Sequence, residues 1–566
     1  MTIHQTLALC LALFCGGAIR LIQVPRADRK SLVPSIRFEN TAAAAGLDFV
    51  LRNDAAGRKY QVETMLGGVA VIDFDADGWP DIYAVNGATL PSLQKSVSRF
   101  HNRLYRNNRN GSFSDVTEQA GVSGKGYSMG AAVGDFDNDN WEDLYVAGVN
   151  ENILYRNNGN GTFTDITQSS GVDGRDRSKR KLWSVAAAWL DYDNDGDLDL
   201  WVSNYCEWSP GDDPVCGGLA SSARTYCSPD SYRGQPNLLY RNEGNHTFKE
   251  VSLEAGAGNQ LGKGMGLAIS DFNDDGYPDV FVAHDNARNQ LFRNTKNGRF
   301  EEVGISLGVA FNDDGRPISG MGTDFRDYDG DGRPDIVMTG LRRETFELFR
   351  NMDGKEFADA SAESGLLRLS QPWSGWSCGF VDFDNDGRRD LFIANGDLDV
   401  NGSQPNRVFR NDGQGRFLDA SPGAGPDLQL ARLHRGAAFA DFDNDGRVDV
   451  VVSSLNQPIE LLMNRSPRKQ WLQLKLRGSH CNRSGLGAQV LCRTNSGRQA
   501  AWVANSVGYA SASDLRLHFG LGDAALEAGI AIRWPCGRTQ KVENVAGGQF
   551  LELFEPATKN EGPKTD

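Results

Sequence analysis

The sequence is poor in the residues and motifs that mark common catalytic sites. Only 7 of its 566 residues are histidines, and they are scattered without metal-ligand spacing. It contains no HExxH motif, no phosphate-binding P-loop and no Ser/His/Asp order of a hydrolase triad. These absences argue against zincin-type proteases, P-loop enzymes and triad hydrolases.

The sequence also lacks an excess of positive charge and a long apolar run. Its net charge is −15, which argues against nucleic acid as a partner. The apolar run from Leu7 to Phe14 is followed by small residues and is too short for an ordinary membrane-spanning helix. We therefore predict that residues 1–19 are a signal peptide or N-terminal anchor and that the protein is exported: secreted, periplasmic or at the cell surface.

One acidic nine-residue segment occurs seven times, and we number its copies acidic loops 1 to 7. Each copy has Asp or Asn at positions 1, 3, 5 and 9, and Gly, or once Asn140, at position 6. The predicted metal ligands, loop by loop, are Asp73, Asp75, Asp77 and Asp81; Asp135, Asp137, Asp139 and Asp143; Asp191, Asp193, Asp195 and Asp199; Asp271, Asn273, Asp275 and Asp279; Asp327, Asp329, Asp331 and Asp335; Asp382, Asp384, Asp386 and Asp390; Asp441, Asp443, Asp445 and Asp449.

Four carboxylates within nine residues repel one another unless a cation lies between them. Calcium accepts six to eight oxygen ligands in flexible geometry, so the loops predict up to seven bound Ca²⁺ ions. An EF-hand would require a Glu at position 12, where every copy instead has an apolar residue. Short apolar runs flank each loop, so we place the loops in β-hairpins rather than between helices.

The acidic loops recur with a period of about 60 residues, which suits one blade of a β-propeller. Two further strand patterns recur in each period: an LYRN-type strand and an F-x-D strand. Seven LYRN-type strands occur, but only six F-x-D strands follow them; the seventh, Phe38 to Ala42, precedes acidic loop 1. We therefore predict an all-β, seven-bladed propeller over residues 35–465, closed by the N-terminal strand.

Strand direction places the acidic loops on one face and the longer, more varied loops on the opposite face, which we call the top face. Loops on a rigid scaffold often carry function. We predict that basic and aromatic side chains converge on the central funnel of this face and bind an anionic or sugar ligand. The candidate residues are Lys181, Trp183, Lys263, Trp376, His434 and Arg435.

The cysteines predict one disulfide clearly. Cys216 and Cys227 share a compact insert in the third repeat and are the best candidates for a disulfide in an exported chain. Cys481 and Cys492 form the second candidate pair, eleven residues apart. The cysteines left without an evident partner are Cys206, Cys378 and Cys536.

The repeat stops after Asn464, and a second β domain is predicted over residues 470–556, followed by a disordered tail over 557–566. Because the repeats account for all seven blades, we expect a chain that ends near Arg465 to remain a soluble propeller that binds calcium.

The repeated GDFDNDG-type loops resemble FG-GAP/VCBS repeats of the integrin α-subunit type. The C-terminal motifs NRSGLGA, HFGLG and WPCGRTQ resemble the ASPIC/UnbV domain, and the combination is similar to the cartilage acidic protein family. The resemblance implies an exported, calcium-binding propeller with a role in adhesion or matrix interaction. Some bacterial relatives are associated with enediyne-type natural-product pathways, which leaves an enzymatic role open.

Three functions remain open from the sequence. The leading hypothesis is an interaction scaffold whose top face binds an extracellular or periplasmic protein or glycan. The second is an enzyme that uses His434, Arg435 and Trp376 as acid-base or positioning groups. The third is a structural spacer stiffened by calcium. Fold alone does not decide among them.

Overall fold

The computed structural model describes residues 36–217, 224–398, 402–494, 497–523 and 527–557. Residues 1–19, predicted to be a signal peptide or anchor, and residues 558–566 of the predicted tail lie outside the described residues. Within the described ranges the chain is almost entirely β, with seven four-stranded antiparallel sheets followed by two further sheets. None of the helices in these ranges is long and apolar enough to cross a membrane.

Each of the seven sheets is one propeller blade, built in the order that the repeat predicts. The first four blades, given from inner to outer strand, are β2 (Val69–Ile72), β3 (Asp81–Ala84), β4 (Arg103–Asn107) and β5 (Phe113–Asp115); β6 (Ser128–Gly134), β7 (Asp143–Gly148), β8 (Ile153–Asn157) and β9 (Phe163–Asp165); β10 (Ser184–Leu190), β11 (Asp199–Asn204), β13 (Leu238–Asn242) and β14 (Phe248–Glu250); β16 (Gly264–Ser270), β17 (Asp279–His284), β18 (Gln290–Asn294) and β19 (Phe300–Glu302).

Blades 5 to 7 repeat this arrangement. They are β20 (Thr323–Arg326), β21 (Asp335–Met338), β22 (Glu347–Asn351) and β23 (Phe357–Asp359); β24 (Gly375–Val381), β25 (Asp390–Asn395), β26 (Arg407–Asn411) and β27 (Phe417–Asp419); β28 (His434–Ala440), β29 (Asp449–Ser454), β30 (Glu460–Asn464) and β1 (Phe38–Asn40). A two-stranded ribbon, β12 (Gln235–Pro236) with β15 (Leu261–Gly262), joins the loops beside blades 3 and 4.

The remaining elements of the propeller are short helices in connections. The α-helices are Thr117–Ala120, Thr167–Ser170 and Leu366–Ser370, and the 3₁₀ helices are Gln61–Thr64, Ser98–Phe100, Pro229–Ser231, Ser421–Gly423 and Asp427–Gln429.

The ring closes as the strand count predicts. The N-terminal strand β1 pairs antiparallel with β30, with Phe38 opposite Asn464, and so supplies the outer strand of blade 7. The inner strand of each blade contacts that of the next blade, and the inner strand of blade 7 contacts that of blade 1. The two ends of the propeller are therefore joined in one sheet, which leaves no unpaired edge at the junction.

The C-terminal strands form a sandwich of two sheets. One sheet has the order β34 (Leu517–Gly522), β31 (Gln470–Arg477), β37 (Gln549–Phe554); the other has the order β33 (Gly497–Trp502), β32 (Gln489–Thr494), β35 (Glu527–Arg533), β36 (Thr539–Ala546). Strand β37 runs parallel to β31, and the other pairs are antiparallel.

The loop between β33 and β34 enters the centre of the propeller. We call Asn505–Ser513 the channel segment. It hydrogen-bonds to the inner strands of six of the seven blades, through Val69, Val71, Ala131, Val133, Leu267, Thr323, Ser377 and Phe439. A Cβ atom on Gly68 would lie 2.2 Å from the carbonyl oxygen of Ala510, so this close approach requires glycine.

Two disulfides are present in the described part of the chain. Cys216 and Cys227 are joined as predicted. The prediction for the second pair is wrong, because Cys481 bonds to Cys536, which lies 55 residues away in sequence. Cys492 lies within β32 and is buried in the apolar core of the C-terminal domain, where its thiol stays free. The thiols of Cys206, Cys378 and Cys492 are buried and free.

Candidate metal centres and the top-face cavity

The ninth residue of each acidic loop is a buried aspartate that fixes the shape of the loop. In acidic loop 7, Asp449 accepts a hydrogen bond from the backbone N–H of Phe442 at 2.9 Å and another from that of Asn464 at 2.6 Å. The same two bonds recur in the other six loops. The repeat therefore places one carboxylate at the base of every loop, where β-strand two of the blade begins.

The first residue of the loop stabilises the turn, because its carboxylate accepts hydrogen bonds from backbone N–H groups later in the loop. In acidic loop 7 the carboxylate of Asp441 accepts hydrogen bonds from the backbone N–H groups of Asp445 at 3.0 Å and Gly446 at 2.7 Å. The φ angle of Gly446 is 85°, and that of Asn140 at the same position of acidic loop 2 is 75°. Position 6 thus requires the left-handed region, which glycine adopts freely and asparagine tolerates.

Three carboxylates of one loop lie close enough together to share one ion. In acidic loops 1, 2, 3 and 5, the residues at positions 1, 3 and 9 each offer an oxygen, and these oxygens lie within 4.8 Å of one another. At position 3, the Oδ1 atoms of Asp75, Asp137, Asp193, Asp384 and Asp443 are buried and have no hydrogen-bond partner among the described residues. Buried polar atoms normally have a hydrogen-bond partner or a bound ion. The repeated lack of a partner at position 3 therefore fits a cation that binds oxygen ligands.

The raised pKa values of the loop aspartates also favour a bound cation. Burial, reinforced by neighbouring carboxylates, raises the pKa of Asp191 to about 7 and that of Asp382 to about 8. Burial also raises the pKa of Asp135 and of Asp441 to about 7, although backbone N–H groups or Arg516 oppose the rise. A divalent cation at the centre would offset both the desolvation and the repulsion of the charged forms. The clusters can therefore hold a metal ion.

An asparagine at the end of each LYRN-type strand links neighbouring blades. This role was not predicted from the sequence. The side-chain amide of Asn464 donates to the carbonyl of Phe383 in blade 6 at 2.9 Å and to that of Val448 in its own blade at 3.1 Å. The same pair of bonds recurs at the equivalent residues of the other blades: Asn107, Asn157, Asn242, Asn294, Asn351 and Asn411. The Asn that ends every LYRN-type strand is the feature of the sequence that could have indicated this role.

The C-terminal sheets cover the face that carries the acidic loops. Lys475 lies 3.2 Å from Asp73 of acidic loop 1, and Arg533 lies 2.9 Å from Asp271 of acidic loop 4. Gln473 donates a hydrogen bond of 2.8 Å to Asp441 of acidic loop 7. Each contact is to a carboxylate at position 1, so the second domain and the predicted metal ligands are in direct contact.

The six residues predicted to bind a ligand on the top face do not form one site. Lys181 is exposed, whereas Trp183 is buried against Tyr205 and Trp208, with ring centroids 5.0 and 5.5 Å away. Lys263 is nearly buried, and its ammonium lies 3.6 Å from Asp230.

His434 and Arg435 are fully buried at the start of the inner strand of blade 7. The two ring nitrogens of His434 lie 2.8 Å from the carbonyl of Asn395 and 2.7 Å from a carboxylate oxygen of Glu460. The guanidinium of Arg435 stacks on the ring of Trp376 at 3.9 Å and donates to the backbone carbonyl of Thr64 at 2.8 Å. Burial lowers the pKa of Arg435 to about 10, so it stays charged at neutral pH.

A cavity of about 190 Å³ lies on the top face, above the channel segment. Of the six predicted ligand-binding residues, only Trp376 lines it. Its wall also includes residues of the Cys216–Cys227 insert and of the loops after the second strands of blades 4, 5 and 6. We call it the top-face cavity, and its lining residues are Gln61, Thr64, Met65, Tyr226, Cys227, Ser228, Pro229, Met265, Asp285, Ser319, Met321, Leu341, Trp376 and Leu398.

The seven blades form a closed ring, and the first hairpin of each blade carries an acidic loop. The fold is therefore a β-propeller of repeats whose carboxylate clusters can hold a metal ion. Residues 73–146, 135–202, 271–338, 327–393 and 382–452 match the FG-GAP-like repeat model, and residues 478–560 match the ASPIC and UnbV model. The repeat segments cover more than half of the chain. The chain therefore belongs to the FG-GAP-like repeat family, here joined to an ASPIC and UnbV domain.

Its sequence relatives include cartilage acidic protein 1 of Mus musculus and of Homo sapiens. The mouse protein is 26% identical over 514 residues, which are 86% of this chain and 74% of the relative. The human protein is 26% identical over 510 residues, which are 86% and 71% of the two chains. Among solved structures, an Agrocybe aegerita lectin specific for non-reducing terminal N-acetylglucosamine aligns with a TM-score of 0.39 at 15% identity, covering 70% of this chain and 87% of the lectin.

Proposed function

We propose that this protein is an exported, calcium-binding β-propeller that acts as an interaction scaffold for a protein or glycan ligand. The observation that carries the calcium assignment is the buried Oδ1 atom at position 3, which has no hydrogen-bond partner in five of the acidic loops. The loops offer only oxygen ligands, which suits a hard cation of flexible coordination. Positions 1, 3, 5 and 9 would supply the side-chain ligands, as the sequence predicts.

Metal content and calcium titration of single-loop variants test the calcium assignment. Asp193→Ala removes a position-3 carboxylate of acidic loop 3 and is expected to lower the calcium stoichiometry by one ion. Asp197→Ala is the matched control, because Asp197 lies in the same loop with the same charge but its side chain accepts a hydrogen bond from Asn138. Equal stoichiometry in both variants, or no calcium bound by the unaltered protein, would contradict the assignment.

Three observations support export or a scaffold role. The Cys216–Cys227 and Cys481–Cys536 disulfides are typical of proteins that fold in an oxidising compartment. The acidic-loop face is covered by the C-terminal sheets, so the long loops of the top face are the surface left for a partner. The relatedness to cartilage acidic proteins supports the same role.

A glycan array and a panel of extracellular proteins, probed with calcium-loaded protein, test the scaffold role. We expect a ligand whose binding is lost in Leu341→Arg, at the rim of the top-face cavity. Leu418→Arg should leave binding unchanged, because Leu418 is a 55% exposed leucine on the outer strand of blade 6. A ligand that both variants bind equally would place the binding surface elsewhere.

The enzyme hypothesis loses two of its three proposed groups, because only Trp376 of the three lines the top-face cavity. His434 and Arg435 have no exposed surface, and both side chains are held by hydrogen bonds within the propeller. A substrate therefore has no route to them without a rearrangement of blade 7. The geometry favours the scaffold over acid-base catalysis by this pair.

A further inference from the structure

The top-face cavity contains a buried hydrogen-bond acceptor that has no partner. Gln61 is 5% exposed and lines the cavity, and its Oε1 atom makes no hydrogen bond with any residue that the structure describes. Leaving a buried polar atom unsatisfied is unfavourable, so such an atom in a cavity indicates a ligand or an ordered water.

The orientation of the Gln61 amide is fixed by its neighbours. The hydroxyl of Tyr205 donates its single proton to Asp285 at 2.7 Å. The same hydroxyl can then only accept from Gln61, whose amide nitrogen lies 3.4 Å away. The carbonyl oxygen of Gln61, and not its amide nitrogen, is therefore the atom left without a partner.

Asp285 supplies a carboxylate to the same cavity. It is 8% exposed, and the Tyr205 hydroxyl connects it to Gln61. Burial raises the pKa of Asp285 to about 6, against the hydrogen bond from Tyr205, so the group is mostly ionised at neutral pH. One wall of the cavity thus carries both a negative charge and a free acceptor.

Among the residues that the structure describes, no basic side chain lines the cavity to compensate this charge. Lys263 favours the ionised form of Asp285 electrostatically, but its ammonium lies 3.6 Å from Asp230 and it is not among the residues that line the cavity. The guanidinium of Arg435 is stacked on Trp376 and held by backbone carbonyls. The described lining of the cavity therefore carries one carboxylate and one free acceptor and no basic side chain.

The cavity lining also includes apolar side chains. The side chains of Met65, Met265 and Met321 contribute to it together with the ring of Trp376. A volume of about 190 Å³ is below the usual range for drug-sized ligands and suits a short, narrow group. An alkyl chain fits against the methionines, whose flexible thioethers adapt to irregular shapes.

We propose that the top-face cavity binds a primary ammonium group carried on a short alkyl chain, with Gln61 and Asp285 as its acceptors. The group is either a free small amine or the side chain of a lysine in a partner protein. This inference deepens the proposed scaffold role by naming the chemistry of its ligand, and it rests on that role only for the choice of face. Calcium binding is measured separately, so failure of one proposal is distinguishable from failure of the other.

Titration of the full calcium-loaded chain with n-butylammonium, followed by calorimetry, tests the proposal, with 1-butanol as the uncharged analogue. We expect butylammonium to bind and butanol not to bind. Asp285→Asn keeps the acceptor for Tyr205 but removes the charge, and it should weaken butylammonium binding about tenfold or more. Glu356→Gln, which neutralises an exposed carboxylate in the β22–β23 hairpin outside the cavity lining, should leave the affinity unchanged.

A second variant and a second probe complete the test. Gln61→Met removes the free acceptor at nearly constant volume and should also weaken binding, and melting temperature and calcium content verify that each variant is folded. A lysine peptide that binds while its acetylated form does not would identify a partner side chain; binding of butylammonium alone would identify a free amine. Equal binding of butanol, no binding of butylammonium, or unchanged affinity in folded Asp285→Asn would overturn the proposal.

Discussion

The two faces of the propeller are built from the same repeats but differ in chemistry. The acidic-loop face is regular: every blade places carboxylates, a glycine (Asn140 in acidic loop 2) and a linking asparagine at equivalent positions, and the C-terminal sheets cover it. The top face is irregular, because loops of different lengths surround one cavity with an unsatisfied acceptor. Positions that recur in the repeat serve the assembly of the ring, whereas function that is specific to this chain is expected where the repeats differ.

Removal of the C-terminal domain should reduce the stability of the propeller more than any other change predicted below. It uncovers the acidic-loop face but leaves the loops of the top face in the chain. The sequence alone suggests that a chain ending near Arg465 remains a soluble propeller. The structure leads to the opposite expectation, because the truncation removes the channel segment and exposes the inner strands of the blades. We predict an insoluble protein or one without a cooperative unfolding transition, as measured by expression and calorimetry. A soluble, cooperatively melting truncation that binds calcium would restore the earlier expectation.

Deleting the N-terminal strand should have the next largest effect. Removal of residues 1–45 takes away β1, exposes the edge of β30 and removes the buried side chains of Ile36 and Phe38. The two side chains alone account for about 3 to 6 kcal/mol of the free energy of unfolding. Removal of residues 1–33 is the matched control, because it keeps β1. If both deletions melt at the same temperature, ring closure by β1 does not stabilise the propeller.

Substitution of Tyr509 probes the channel segment without removing the domain. The ring of Tyr509 is buried against Trp376, with centroids 5.1 Å apart, and its hydroxyl donates to the carbonyl of Met65. Tyr509→Ala should reduce the free energy of unfolding by about 3 to 5 kcal/mol through the cavity it leaves. Tyr509→Phe loses only the hydrogen bond and should cost about 1 to 2 kcal/mol. Denaturant unfolding measures both, and equal small losses would show that the segment is not packed in the channel.

The pH dependence of stability should be the smallest effect and should change with metal. Burial raises the pKa of Asp135, Asp191 and Asp441 to about 7 in the metal-free fold. A raised pKa gives stability that is present below the unfolded value near 4 and is lost as the pH rises through 7. Metal-free protein should therefore melt at a higher temperature near pH 5.5 than near pH 8.5.

Calcium should reverse this trend, because it binds the ionised carboxylates and displaces their protons. The rise in melting temperature caused by calcium should accordingly be larger near pH 8.5 than near pH 5.5. Calorimetry of chelated and calcium-loaded protein at both pH values checks the prediction. A calcium effect independent of pH would show that these aspartates do not take part in binding.

Much of the fold was predictable because it depends on local, repeated signals. The acidic loops, the strand patterns around them and the count of F-x-D strands predicted both the blades and the closing role of Phe38 to Ala42. These signals are short-range or periodic, so a single sequence is enough to recognise them.

The predictions that failed all depended on contacts between residues that are far apart in the sequence. Cys481 and Cys492 are close in sequence, but the partner of Cys481 is Cys536, which lies 55 residues away and comes near only in the folded sandwich. The channel segment was visible only as a run of small residues, NSVGYASAS, without a sign of where it would pack. Trp376 was assigned to the top face, but its neighbours Gln61 and Asp285 come from other blades and could not be grouped with it before the ring was closed.

Hydrogen exchange of the full chain, with and without chelator, tests most directly whether metal binding holds the acidic-loop face together. We predict that chelation increases exchange in the acidic loops and in the docked segments of the C-terminal domain, 470–477 and 505–513. The loops around the top-face cavity should change less. Unchanged exchange in the docked segments, or the same increase on both faces, would contradict the assignment of metal binding and domain docking to one coupled face.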